Sequence, residues 1–292
     1  MVPVSPAAPA PPPTPGESRA SRRAVTVGFA CNNACVFCAQ GERRASPGAG
    51  APADVAALIA AVEPGEVVAF LGGEPTLAAD LPAWIRAAAA RGAARVVVQT
   101  NGRRLAYRAY ARALAEASPR LALDVSLHGA TAAMHDYHTG VPGSFAQTVQ
   151  GLRHARAERL PFGVTTVVTR SSFRHLAEIV RVAHAAGAAA VHLAPVEPFG
   201  HAARTASRLV PAPEMVLPHL GRAVAEAQRL GLAVQIGDRV VSDPTGAAAG
   251  LFAGLGEVEA PPREASVKKK VSLVMIADQG RAGEHGNGDE LA

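Results

Sequence analysis

The sequence predicts an α/β fold built on a parallel sheet, and three observations lead there. Short apolar runs rich in β-branched residues alternate with longer segments of helical spacing, six times over. One such run, Gly65 to Leu71, is apolar almost throughout and bounded by glycines, the pattern of a strand buried on both faces. The least ordinary residues, three cysteines and the Gly72-Gly73 and Asn101-Gly102 turns, fall directly after such runs, where parallel α/β sheets place their ligands. Right-handed crossovers make the sheet parallel, either open and doubly wound or curled toward a barrel.

Residues 1–23 are Pro, Ala, Ser and charge without periodicity and cannot bury enough apolar surface to order themselves, so they read as a disordered leader. They lack a basic start followed by an apolar run and do not resemble a secretory signal. Ala24 to Ala30 alternates and forms the first strand, ending where Cys31 begins. Gly41 to Gly50 is turn-rich and leads into a helix over Pro52 to Val62. Gly65 to Leu71 is the second strand, with Gly72-Gly73-Glu74-Pro75 after it and a helix from Leu81 to Arg91. Arg95 to Gln99 and Leu105 to Ala117 make the third unit, with Thr100-Asn101-Gly102 between them. Leu121 to Leu127 is the fourth strand, followed by a polar loop through Gly143 and a helix from Phe145 to Arg159. Phe162 to Thr169, Phe173 to Ala186, Ala189 to Pro195 and Pro213 to Leu230 supply the last alternations, and Leu232 to Ile236 a short extra strand. The core therefore spans 24–240. The tail, 241–292, is Gly, Ala, Glu and Lys rich, carries Lys268-Lys269-Lys270 and one apolar run, Val271 to Ile276, and is expected to be loosely structured.

The 292 residues suffice for one large α/β domain, and 49% hydrophobic residues agree with a buried core. No apolar run is long enough to span a membrane. The net charge of +5 comes with only 4% aromatic residues and scattered arginines, which argues for a solvated basic surface and against specific nucleic-acid binding. That surface would also steer an acidic electron donor. Unpaired thiols fit a reducing, cytoplasmic setting.

All three cysteines, Cys31, Cys35 and Cys38, lie within eight residues. An odd number closing very small loops is a poor disulfide framework. Structural zinc takes four protein ligands, and a zinc reading must borrow a distant histidine for the fourth. An iron-sulfur cluster suits three thiolates better and leaves one iron open to an outside ligand.

The spacing Cys-x3-Cys-x2-Cys, with Phe37 before the last cysteine, resembles the signature of the radical S-adenosylmethionine (SAM) enzymes. Gly72-Gly73-Glu74-Pro75, Gln99-Thr100-Asn101-Gly102 and Val125-Ser126-Leu127-His128-Gly129 follow in that family's order. The resemblance runs from Val25 to about Gly200. It implies a partial (β/α)6 TIM-type barrel and a [4Fe-4S] cluster on Cys31, Cys35 and Cys38. It implies SAM on the open iron, cleaved reductively to a 5'-deoxyadenosyl radical that takes hydrogen from a peptide or small metabolite. A reducing partner such as flavodoxin or ferredoxin would supply the electron. By the same resemblance Gly72 and Gly73 let the backbone approach the methionine portion of SAM, Glu74 accepts from its ammonium, Asn101 and Ser126 offer hydrogen bonds, and Phe37 lies near the adenine. Thr166 and Arg170 stand within reach of the same ligand.

His128 and Asp136 are the first residues to consider for substrate contact, although no catalytic residue is identified. His135 and His138 are expected in a polar loop and not at a second metal site. With every cysteine engaged, auxiliary clusters are excluded. Two other readings stay open: a zinc-binding α/β protein without radical chemistry, and a cluster-bearing scaffold that cleaves nothing.

Overall fold

A computed structural model describes residues 21–44, 54–244, 246 and 251–252. Eight strands form one sheet in sequential order, β1 (Arg22–Thr26), β2 (Val67–Leu71), β3 (Arg95–Thr100), β4 (Leu121–Ser126), β5 (Phe162–Val168), β6 (Ala190–Pro195), β7 (Ala233–Ile236) and β8 (Arg239–Ser242). The first seven pair in parallel, while β8 turns back antiparallel on β7. The sheet does not close on itself, so it is the partial α/β barrel anticipated from the sequence, with the short extra strand in place as β7 and a returning edge strand, β8, added.

The connecting helices are α1 (Gly41–Arg44), α2 (Val55–Ala60), α3 (Leu81–Ala90), α4 (Arg108–Ala117), α5 (Ala132–Thr139), α6 (Ser144–Ala157), α7 (Leu176–Ala186), α8 (His201–Arg204), α9 (Ala206–Leu209) and α10 (Pro213–Arg229). Alternation along the strands separates two surfaces. Val68, Phe70, Val96, Val98, Leu123, Val125, Val164 and Val191 pack in one cluster with helix residues such as Ile59, Ile85 and Leu152. Each such fully buried side chain stabilises by about 1.5–3 kcal/mol. The opposite face carries smaller or polar residues: Ala69 and Val97 in one group, Ala122, Ala190 and Ala233 in another.

Four expectations change. β1 begins at Arg22, because Arg23 pairs with Glu66 at 2.8 Å and Ser21 donates to the same carboxylate at 3.2 Å; the end of the supposed leader is thus part of the sheet. Residues 27–30 leave the strand, with Gly28 at φ 112°. The polar stretch after β4 is helix α5, with Thr131 as its cap. In the tail, Val241 and Ser242 belong to β8, and Leu251 and Phe252 are buried against Ala122, Ala190 and Ala233. There Arg22 donates to the Phe252 carbonyl at 2.6 Å. Residues 1–20, the Lys268–Lys270 run and Val271 to Ile276 lie outside the described residues. Among those described, no helix is long and apolar enough to cross a membrane.

Candidate functional site at the mouth of the barrel

The segment from β1 to Cys31 is pinned beneath the turn after β2. Gly73 N–H donates to Gly28 O at 2.9 Å and Glu74 N–H to Ala30 O at 2.8 Å. The two backbones come so close that a Cβ on Gly73 would run into the carbonyl oxygens of Phe29 and Ala30, and one on Gly72, at φ 134°, into that of Gly28. Glycine is required here by the chain's own approach. Gly73→Ala is expected to displace the cysteine loop, lower stability by about 1–3 kcal/mol and lower iron retention. Urea unfolding with an iron assay checks this, and unchanged values for both would contradict the contact.

The loop itself is held from three sides. Ala34 N–H donates to Thr139 O at 2.7 Å and Val36 N–H to His138 O at 3.0 Å, which ties it to the end of α5. The carbonyl of Cys38 accepts from His201 N–H at 3.0 Å and Gly41 N–H at 3.2 Å, and the His201 ring Nδ1 lies 3.3 Å from Cys35 O. Arg44 donates to Cys31 O at 3.0 Å. All three thiols are free and partly exposed. Burial, then the neighbouring Cys38 and Cys31, push Cys35 up to about 12, and burial pushes Cys31 up as well. Thiols so placed become thiolates at neutral pH only with a cation beside them. Among the described residues no three His, Cys, Asp or Glu side chains are grouped to hold a metal ion.

Glu74 is 3% exposed and engages both oxygens within the protein. Oε1 accepts from Thr76 N–H at 3.1 Å, from the Thr76 hydroxyl at 2.6 Å and from the Thr100 hydroxyl at 2.6 Å, while Oε2 accepts from Asn101 N–H at 2.6 Å. Burial lifts its pKa above the usual carboxylate range, against those hydrogen bonds, which favour the anion. Asn101 passes the order on: its Nδ2 donates to Asn32 Oδ1 at 2.6 Å, and its Oδ1 accepts from Arg103 N–H at 3.0 Å. Arg103 donates to the Asn32 carbonyl, to Asn33 Oδ1 at 2.9 Å and to Gln147 Oε1 at 2.6 Å. A continuous chain of hydrogen bonds thus runs from the turn after β2, through the turn after β3, to the residues next to Cys31. Asn32, Asn33 and Arg103 were not singled out from sequence. Two asparagines inside the cysteine spacing and an arginine after Asn101-Gly102 were the available signal.

Ser126 ends β4 and is partly exposed. Phe37 packs edge-on against His128, ring centroids 4.8 Å apart. Thr166 is buried, with no hydrogen-bond partner for its hydroxyl among the described residues. Arg170 reaches away, to Ser207 O at 2.7 Å.

The three histidines gather, but as a hydrogen-bonded set. His138 Nδ1 lies 2.8 Å from Met134 O and must donate, so Nε2 accepts from the hydroxyls of Thr169 at 2.9 Å and Ser171 at 2.8 Å. His135 Nδ1 accepts from His128 N–H at 3.1 Å, which leaves the proton on a buried Nε2 without a partner. His128 Nδ1 accepts from Val167 N–H at 3.3 Å. Burial first, then the neighbouring histidines, holds His128 well below the imidazole range; burial also lowers His138, and it lowers His135 to about 4. Asp136 caps α6, accepting from Gly143 N–H at 2.7 Å, the Ser144 hydroxyl at 2.8 Å and Phe145 N–H at 2.8 Å. Desolvation opposes its ionisation, but those donors outweigh it and lower its pKa.

Known proteins resemble this chain in sequence and in fold. The family model described as "Radical SAM superfamily" matches residues 25–183. The AdoMet-dependent heme synthase of Oleidesulfovibrio alaskensis is 32% identical over 187 residues, 63% of this chain and 47% of that protein. The mycofactocin maturase MftC of Mycobacterium ulcerans is 30% identical over 205 residues, 69% of this chain and 54% of that protein. This chain therefore spans about half the length of the curated relatives it matches. Streptococcus suis SuiB, solved bound to precursor peptide SuiA, shares the fold with a TM-score of 0.58 at 14% identity, covering 74% of this chain and 48% of that one. It has also been solved bound to S-adenosylmethionine. A family model matched over more than half of the 292 residues, on a partial barrel that carries all three cysteines at its mouth, means that this chain belongs to the radical SAM superfamily.

Proposed function

We propose that the protein is a radical SAM enzyme in which Cys31, Cys35 and Cys38 hold a [4Fe-4S] cluster whose fourth iron takes SAM. The observation that carries the reading is a loop holding all three thiols, fastened by Glu74, Asn101 and Arg103 to the strand ends of the barrel. Held by Cys31, Cys35 and Cys38, the cluster would supply the electron for reductive cleavage of SAM and so the radical chemistry that takes hydrogen from an organic substrate.

The chain's part is to position and enclose. Gly72 and Gly73 bring the turn after β2 against the loop. Glu74 and Asn101 orient the backbone that meets the methionine portion of SAM, and Phe37 and Ser126 face its nucleoside. His128 is the first residue proposed to meet substrate; Asp136 acts through α6 instead. Tailoring of a peptide or small metabolite is supported by an AdoMet-dependent heme synthase and a mycofactocin maturase among the relatives and by the precursor peptide on SuiB. A flavodoxin or ferredoxin in a reducing, cytoplasmic setting completes the reading.

The test is anaerobic reconstitution with iron and sulfide, then SAM and dithionite. A brown protein that releases 5'-deoxyadenosine is expected. A colourless zinc protein, or a cluster that leaves SAM intact, would defeat the reading.

A further inference from the structure

Cleaving SAM reductively requires one electron from outside. Beside the cysteine loop a cleft of about 670 Å³ is lined by Asn32, Arg103, Arg104, Ala106, Tyr107 and Gln147. We propose that this cleft is the docking site of an acidic one-electron carrier protein of the flavodoxin or ferredoxin class; the inference rests on the proposed function.

Three observations carry it. Among the described residues neither Arg103 nor Arg104 meets a carboxylate: Arg103 donates only to neutral oxygens, and Arg104 lies 4.8 Å over the Tyr110 ring with its Nε unpartnered. Two uncompensated guanidiniums therefore stand at one cleft, on a chain of net charge +5, and such a field attracts an acidic partner and speeds its encounter. Tyr107 is 70% exposed at the same rim, and tyrosine beside arginine is the composition of an interface anchor. The wall is Asn32, next to Cys31, and Arg103 grips its carbonyl, so a docked carrier meets the cysteine loop directly. In the transfer the carrier is oxidised by one electron, flavin hydroquinone to semiquinone or [2Fe-2S]⁺ to [2Fe-2S]²⁺, and the cluster is reduced by one; no atoms move.

The test uses reconstituted holoenzyme, the Arg104→Glu and Tyr107→Ala variants, and Arg104→Gln should the charge reversal fail to fold. Binding of an acidic flavodoxin is measured by interferometry, and reduction by stopped-flow absorbance with flavodoxin, with a plant-type ferredoxin and with dithionite. Expected are binding and carrier-driven reduction about tenfold weaker in Arg104→Glu, a shallower dependence on salt, and unchanged reduction by dithionite. Equal binding and carrier rates in all variants, or no binding of either carrier to the unaltered protein, would overturn the docking site. Failure of dithionite to reduce the unaltered protein would instead overturn the proposed function beneath it. Loss of binding to a polyglutamate peptide with carrier rates intact would assign the cleft to an acidic peptide and refute the proposal.

Discussion

Cys35→Ala is expected to remove nearly all bound iron and all SAM cleavage while leaving the fold in place. The backbone contacts of the loop do not involve the thiol: Cys35 O accepts from Cys38 N–H at 3.1 Å and from the His201 ring at 3.3 Å, and alanine keeps both. The neighbours Ala34 and Val36 stay tied to α5. A partly exposed side chain lost from such a loop costs about 1 kcal/mol or less. Removing one of three proposed ligands leaves too few thiolates for the cluster, so the chemistry should vanish without the stability doing so. Iron analysis, 5'-deoxyadenosine assay and urea unfolding of the same preparation read the three consequences together. Retained iron with retained cleavage would sink the cysteine assignment, and loss of folding would show the thiol to be structural.

The order of strands and the positions of the special turns were legible because they depend on local pattern. Val67–Leu71 and Arg95–Thr100 are β-branched runs punctuated by Gly and Asn, and the punctuation is itself the site. Where sequence reasoning went astray, a tertiary contact outweighed local composition. Arg22 and Arg23 look like part of a polar leader, yet Glu66, across the sheet on the residue before β2, draws them into β1. The stretch with His135 and His138 looks like a polar loop because its buried face is made of histidines; Thr169 and Ser171 meet His138 and the His128 N–H meets His135 Nδ1, so both rings pack inside. Phe252 reads as tail, but Gly163 leaves a space that its ring fills. The same limit applies to Glu74. Its place in the motif marked it as important, but only the geometry shows that Thr76, Thr100 and Asn101 already take up its oxygens.

Those buried histidines make the iron-free protein acid-labile in a definite window. Burial lowers His135 and His192 from 6.5 to about 4 each, and His128 and His138 shift the same way. Their folded state is neutral, whereas the unfolded chain protonates near 6.5, so between about pH 4 and 6.5 the unfolded state binds more protons and stability rises with pH. It is fully present above 6.5 and is lost as pH falls toward 4. Each of the two cited shifts amounts to at most roughly 3 kcal/mol, a large fraction of the 5–15 kcal/mol typical of a domain. The paired carboxylates do not share this window. Glu66, held by hydrogen bonds from Arg23, and Glu226, held by Arg229, sit near 2 and are lost only as pH falls below about 4.5. Urea unfolding at about pH 7, 6 and 5 should show the midpoint falling with little change in slope. His192→Gln should flatten that fall: His192 Nε2 donates to Gly237 O at 2.9 Å, a bond an amide can make without titrating. A midpoint independent of pH across the window, or a His192→Gln protein as acid-sensitive as the parent, would mean that these imidazoles are hydrated in the folded chain.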